Sequence, residues 1–202
     1  MLFRSVMNID NLPPLVRNGL YILAVVGSAG LCLMLLPTRL PGMEIFGVGP
    51  SWLVMWLVAW SLHRSLWHVV TAGIVLGLIQ DGMTFTSTDI LGTVPTHVLS
   101  LTIVSVLGFM LHKRRYLDDT VLGASMAAFG LTIVSEAVMG LQYLLKTAID
   151  RSLEVSLDSL NYIWTNQGPS ILITAVLSGL WMPILYYPLQ LCWQKMLAHK
   201  LA

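Results

Sequence analysis

The sequence predicts an all-α fold, a polytopic membrane bundle of about six transmembrane helices with both termini in the cytoplasm. Apolar residues make up 56% of the 202 positions and charged residues only 10%, against roughly 25% charged in ordinary soluble domains. The mean hydropathy is +0.77. A soluble chain of this length cannot hide so much apolar surface, so lipid must cover part of it. The apolar residues also fall in separate runs, with basic residues gathered in alternate connections, as the positive-inside rule requires.

Taken in order, the first helix is Gly19–Leu36, stopped by Pro37. Its length suits a span better than a signal peptide, and the apolar runs after it favour an uncleaved first helix. The second is Gly49–Leu62, rich in tryptophan at Trp52, Trp56 and Trp60, and the third is Ser65–Gln80. Both are short against the ~20 residues of a typical span. Two short spans joined by a tight turn at His63–Arg64 compete with one re-entrant hairpin, and the charge pattern favours two spans. The fourth helix is Ile90–Leu111, the fifth Thr120–Leu145, and the sixth Ser170–Trp193, interrupted by Pro183 and Pro188. Residues 147–162 form an outer amphipathic segment, with Ile149, Leu153, Leu157 and Leu160 at helical spacing between Asp150, Arg151, Glu154 and Asp158. It lies on the membrane surface, against a partner, or over its own bundle. The whole chain, 1–202, is one integral membrane domain.

An inside N-terminus puts eight basic residues in the cytoplasm: Arg4, Arg17, Arg64, Lys113, Arg114, Arg115, Lys195 and Lys200. Only Arg39, Lys146 and Arg151 fall outside. The formal net charge of +1, with no basic stripe, argues against nucleic acid as a partner. Cys32 and Cys192 sit in apolar runs and read as small buried hydrophobes, not as a disulfide framework or a zinc site. Trp52, Trp164 and Trp193 are placed near the interfaces, where aromatic belts anchor spans.

Ionisable groups inside a bilayer are costly and face the protein interior or a cavity. Three qualify: Asp81 at the end of helix three, His97 in helix four and Glu136 in helix five. Gly73, Gly77 and Asp81 recur every fourth residue, a small-residue stripe ending in a carboxylate beside Gln80 and Gly82. Thr93, His97 and Ser100 align on helix four, and Pro95, followed by Thr96, is expected to kink that helix and free a carbonyl. Ser125, Ala128, Thr132, Glu136 and Gly140 share one side of helix five. The topology puts Asp81, His97 and Glu136 toward the outside, in reach of one polar cluster. Cross-helix hydrogen bonding is the leading explanation, ahead of a ligand or ion site and a partner-binding role. No paired-aspartate, HExxH, GxSxG or cysteine–histidine signature appears, which points away from catalysis and from any cofactor. Gly27–Gly30 and Ser170–Thr174–Ser178 are candidate docking faces on helices one and six, or else internal packing.

The run from Gly73 through Gly77, Gln80, Asp81 and Gly82, then Leu91-Gly92 and His97 to Leu101, resembles the MreD family of the bacterial rod-shape system. Trp56 to Ser61, Arg64 and the Lys113–Tyr116 loop are similar to its cyanobacterial branch. One departure is the Asp81–Leu91 loop, threonine-rich here at Thr84, Thr86 and Thr88 where the family has glycine. The resemblance implies a non-enzymatic scaffold in the bacterial inner membrane. It would bind an MreC-like protein and support sidewall peptidoglycan synthesis with a RodA-type polymerase and a class B penicillin-binding protein, with MreB filaments on the cytoplasmic side. It also implies a fold similar to the substrate-capturing subunits of energy-coupling-factor transporters. The competing function is therefore a substrate-binding membrane subunit of a vitamin-type transporter with an outward-facing pocket.

Overall fold

The computed structural model describes residues 14–38, 43–62, 64–84, 96–114, 120–150, 165 and 168–197. Among them are six α-helices and no strand: α1 Pro14–Leu35, α2 Trp52–Ser61, α3 Leu66–Thr84, α4 His97–Lys113, α5 Val121–Asp150 and α6 Gly168–Leu197. Three stretches are long and apolar enough to cross a membrane: Leu66–Thr84, Val121–Lys146 and Gly168–Leu191. Ile22–Leu35, Trp52–Ser61 and His97–Lys113 are shorter apolar helical stretches. The sequence reading of about six spans thus meets six helices, of which three contain a described stretch both long and apolar enough to cross.

Several boundaries move, each for a local reason. α1 starts at Pro14, five residues before the expected Gly19, because proline fits the first helical position, where its missing N–H is not needed. α3 runs on to Thr84, so Asp81 does not terminate the helix but opens its last turn, with Gln80 before it and Gly82 after it. The Thr84 hydroxyl donates to the Gln80 carbonyl at 3.0 Å, within this added turn. α4 begins at His97, not at Ile90. Thr96, ahead of it, has extended backbone, and Pro95, where a kink is expected, lies outside the described residues. α5 continues to Asp150, which places the first residues of the expected amphipathic segment in a membrane helix. The remainder of that segment, residues 151–162, lies outside the described residues, as do residues 85–95, His63 and Trp164. α6 carries Pro183 and Pro188 without a break.

α2 is the hub of the bundle. All ten of its residues are buried, and it packs against each of the other five helices. Trp56 stacks on Trp60 with ring centroids 5.2 Å apart, and the Arg64 guanidinium lies 4.6 Å over the Trp60 ring. Trp52 is only 7% exposed and tilts against Trp181 at 6.2 Å. It is a core residue, which corrects its assignment to an interfacial belt. The Trp56 indole N–H donates to the Ser28 hydroxyl on α1 at 3.0 Å. The Ser178 hydroxyl on α6 accepts the Ser51 N–H at the start of α2, at 2.9 Å. Ser178 is fully buried, so this part of the proposed α6 docking face is internal packing.

α3 and α4 run antiparallel, and their backbones meet through the glycine stripe. A Cβ on Gly73 would fall 2.7 Å from the Ser105 hydroxyl and 3.0 Å from the Leu101 carbonyl. A Cβ on Gly77 would overlap the Val98 backbone, lying 2.8 Å from its nitrogen. Gly108 on α4 leaves a notch for Ser61 of α2, and Gly179 on α6 approaches the Ser125 carbonyl on α5. Gly27, Gly30 and Gly130 have open space at the same position. Gly77→Ala is therefore expected to destabilise the protein by about 1–3 kcal/mol, the usual cost of overpacking against backbone. Gly130→Ala should stay within about 0.5 kcal/mol of the wild type or gain slightly in stability from helix propensity. Reversible unfolding of both variants in detergent checks the pair, and equal stabilities would refute the close-packing account.

Candidate functional site

The sequence-selected residues converge at one end of the bundle, where α3 ends, α4 begins and α5 passes beside them. Asp81 sits in the last turn of α3 and reaches the first residue of α4. Its Oδ1 accepts the His97 backbone N–H at 2.7 Å. The same oxygen lies 2.7 Å from His97 Nδ1. The first N–H groups of a helix have no partner within it and carry partial positive charge, so a carboxylate here is favourable in both respects. Thr96, the residue ahead of α4, makes no side-chain cap of its own. The Asp81 carboxylate does that work from the neighbouring helix.

A second grip comes from α5. Gln142 Oε1 accepts the Thr96 N–H at 2.9 Å and the Thr96 hydroxyl at 3.2 Å. Gln142 Nε2 donates to the Thr96 carbonyl at 3.1 Å. The amide thus pairs with both main-chain groups of Thr96, as a neighbouring strand would. Two residues were missing from the sequence reading here, Gln142 and Ser135. The first had a signal: a lone amide in the otherwise apolar run Gly140-Leu141-Gln142-Tyr143-Leu144. Ser135 stands next to Glu136 and pairs with Ser100, whose hydroxyl lies 2.7 Å from the Ser135 hydroxyl and donates to the Ser135 carbonyl at 3.0 Å. Both serines are buried.

Glu136 is half-buried on α5. Gly82 and Gly140 belong to this end of the bundle in sequence, but a Cβ on either would meet nothing within 4 Å. They make no close helix contact of the kind seen at Gly73 and Gly77. Pro95 lies outside the described residues. Asp81 and His97 keep side-chain exposures of 26% and 24%, so the pair is reachable from outside the bundle. Among the described residues, no group of three or more histidine, cysteine, aspartate or glutamate side chains could hold a metal ion.

Two clefts lie elsewhere, around α1, α2 and α6, and neither is lined by Asp81, His97 or Glu136. What the polar end offers chemically is hydrogen bonding between helices.

Fold and site define a helical membrane protein in which three helices are joined at one end by a knot of polar groups that range from buried Ser100 and Ser135 to exposed Thr96. The family model described as rod shape-determining protein MreD matches residues 19–192, and the chain belongs to that family. No curated protein and no solved structure matches the chain.

Removing the carboxylate tests the knot. Asp81→Ala is expected to cost about 1–3 kcal/mol, because the His97 N–H loses a charged acceptor. Asp81→Asn should cost less, since an amide oxygen still accepts that N–H. His97→Ala keeps the N–H and loses the ring, so a double-mutant cycle with Asp81→Ala isolates the ring contact, with an expected coupling of at least about 0.5 kcal/mol. Strict additivity in unfolding free energies would remove the ring from the account.

Proposed function

We propose that this protein is a non-enzymatic scaffold of the rod-shape system, a multi-pass protein of the bacterial inner membrane that binds an MreC-like protein. Through that contact it supports sidewall peptidoglycan synthesis by a RodA-type polymerase and a class B penicillin-binding protein, in step with MreB filaments beneath the membrane. The observation that carries this reading is the match to the rod shape-determining family over residues 19–192, nearly the whole chain. The proposed topology has six transmembrane helices with both termini inside, the short α2 enclosed by the other five.

The physical layout supports the reading. Asp81, Thr96, His97, Ser100, Ser135 and Gln142 spend their hydrogen bonds on one another and on helix ends. Their proposed role is to fix α3, α4 and α5 as one rigid unit. Glu136 and the glycines at 73 and 77 complete the unit, and Gly82, Gly140, Gln80 and Pro95 flank it.

Purification of the full chain in mild detergent from its native host, followed by identification of co-purifying chains, tests the proposal. Recovery of an MreC-like protein with cell-wall synthases is the expected outcome, together with loss of rod shape on deletion. Recovery of an ATPase pair with a coupling subunit would replace it with the transporter function.

A further inference from the structure

Two clefts share a boundary and together form one amphipathic channel. The first, about 430 Å³, lies between α1 and α6 and is floored by α2, with Ala24, Leu31, Trp56, Trp181, Ile184 and Pro188 among its walls. Among the described residues its only hydroxyl is that of Ser28, which already receives the Trp56 indole N–H. The second, about 360 Å³, sits at the end of α1 and is lined by Thr38, Glu44, Gly47 and Gly49 among others. Leu35, Met43 and Trp52 line both, so the apolar cleft adjoins the polar one.

The polar mouth is held by a tight turn. Ile45 and Val48 exchange backbone hydrogen bonds at 3.0 Å in both directions. Phe46 and Gly47 between them have φ of 54° and 77°, as a two-residue reverse turn requires and as a phenylalanine rarely adopts. The turn lays the Glu44 side chain over Gly49, whose Cβ position is 3.8 Å from Glu44 Cγ. It leaves Phe46 93% exposed.

The dimensions select the occupant. Along α1 the apolar cleft extends from Ala24 to Leu35, a rise of roughly 16 Å at ~1.5 Å per residue. One leaflet of the ~30 Å hydrocarbon core is about that deep. The outer rim of the cleft, at Leu31 and Ile184, is exposed on the side that faces lipid. A partner helix of ~10 Å diameter crossing the full core would displace roughly 2,400 Å³, several times the space available, and could offer only one ridge of side chains. It would also leave the acidic mouth unused.

We propose that this channel is a lipid site: one acyl chain of a bilayer lipid from a single leaflet lies between α1 and α6, and an ammonium-bearing headgroup sits at the mouth beside Glu44.

Brominated acyl chains quench tryptophan at contact, and Trp52, Trp56 and Trp181 line the cleft. The full chain would be placed in phosphatidylglycerol nanodiscs containing rising fractions of phosphatidylethanolamine with brominated chains. A saturable quenching phase is expected at low fraction, above the proportional background from exposed groups such as Trp67, which is 80% exposed. The reverse titration, brominated phosphatidylglycerol into phosphatidylethanolamine, should need about two- to fivefold more lipid, the scale of a partly exposed ion pair. Glu44→Gln should keep the saturable phase and lose the preference. Ala24→Phe and Ile184→Phe fill the cleft from opposite walls, and either should abolish the phase while helical content is retained. Quenching that rises only in proportion to lipid, or a saturable phase untouched by both filling variants, would overturn the proposal. So would protection of the cleft tryptophans by a co-purified membrane polypeptide, which would make the cleft a protein interface.

Discussion

α2 meets neither lipid nor water over its ten residues. At ~1.5 Å per residue it rises roughly 15 Å, about half of a hydrocarbon core. A helix that short cannot carry its own ends into the headgroup region on both sides, so its terminal N–H and C=O groups need partners supplied by protein. The Ser178 hydroxyl supplies one at the N-terminal end. At the other end, Ser61 sits against the Gly108 notch and returns its hydroxyl to the Val58 carbonyl at 2.9 Å. The surrounding helices must therefore enclose α2 completely, and their arrangement follows from that. α4 needs a glycine where Ser61 arrives, α6 needs a hydroxyl where Ser51 arrives, and α1 needs one where Trp56 arrives.

Close packing and polar pairing then divide the work. Between lipid-covered helices there is no hydrophobic gain from association, so contact area and hydrogen bonds must hold the bundle together. Along α3 and α4 the glycines at 73 and 77 bring the backbones into contact, and the same helix face delivers Asp81 to the start of α4 one turn later. The stripe and the carboxylate are one device: the approach permitted by the glycines is what places Oδ1 at 2.7 Å from the His97 nitrogen. A larger side chain at Gly77 would push α4 away and lengthen that bond as well.

Much of this was legible in the sequence, because spacing of three and four residues fixes a helix face regardless of what it packs against. The Gly73–Gly77–Asp81 stripe needed nothing else. The helix ends were less legible. Asp81 read as a terminator because polar residues follow it, yet a capping threonine carries α3 one turn further. His97 read as mid-helix because the apolar pattern extends back toward Ile90, and only the tertiary contact with Asp81 marks it as the first residue of α4. Trp52 misled for a different reason. Tryptophan at the edge of an apolar run suits a membrane interface and a core equally well, and Trp52 goes to the core because Trp181 arrives from a helix more than a hundred residues away in the chain. Gln142 shows the same limit: its amide gains meaning only from the Thr96 main chain it pairs with.

α1 stands apart from this scheme. Its glycines at 27 and 30 face open space, where those of α3 touch backbone. Its fastening to the hub runs through apolar contact with α2 and the one hydroxyl of Ser28. Leu23, Val26, Leu31 and Met34 are all more than half exposed. The unit of α3, α4 and α5 is locked by backbone contact and paired polar groups, while α1 is held mainly by apolar surface that lipid matches equally well. In a membrane, such a helix shifts at lower cost than its neighbours, and any lipid or protein seated between α1 and α6 acts on the part of the bundle least constrained by hydrogen bonds.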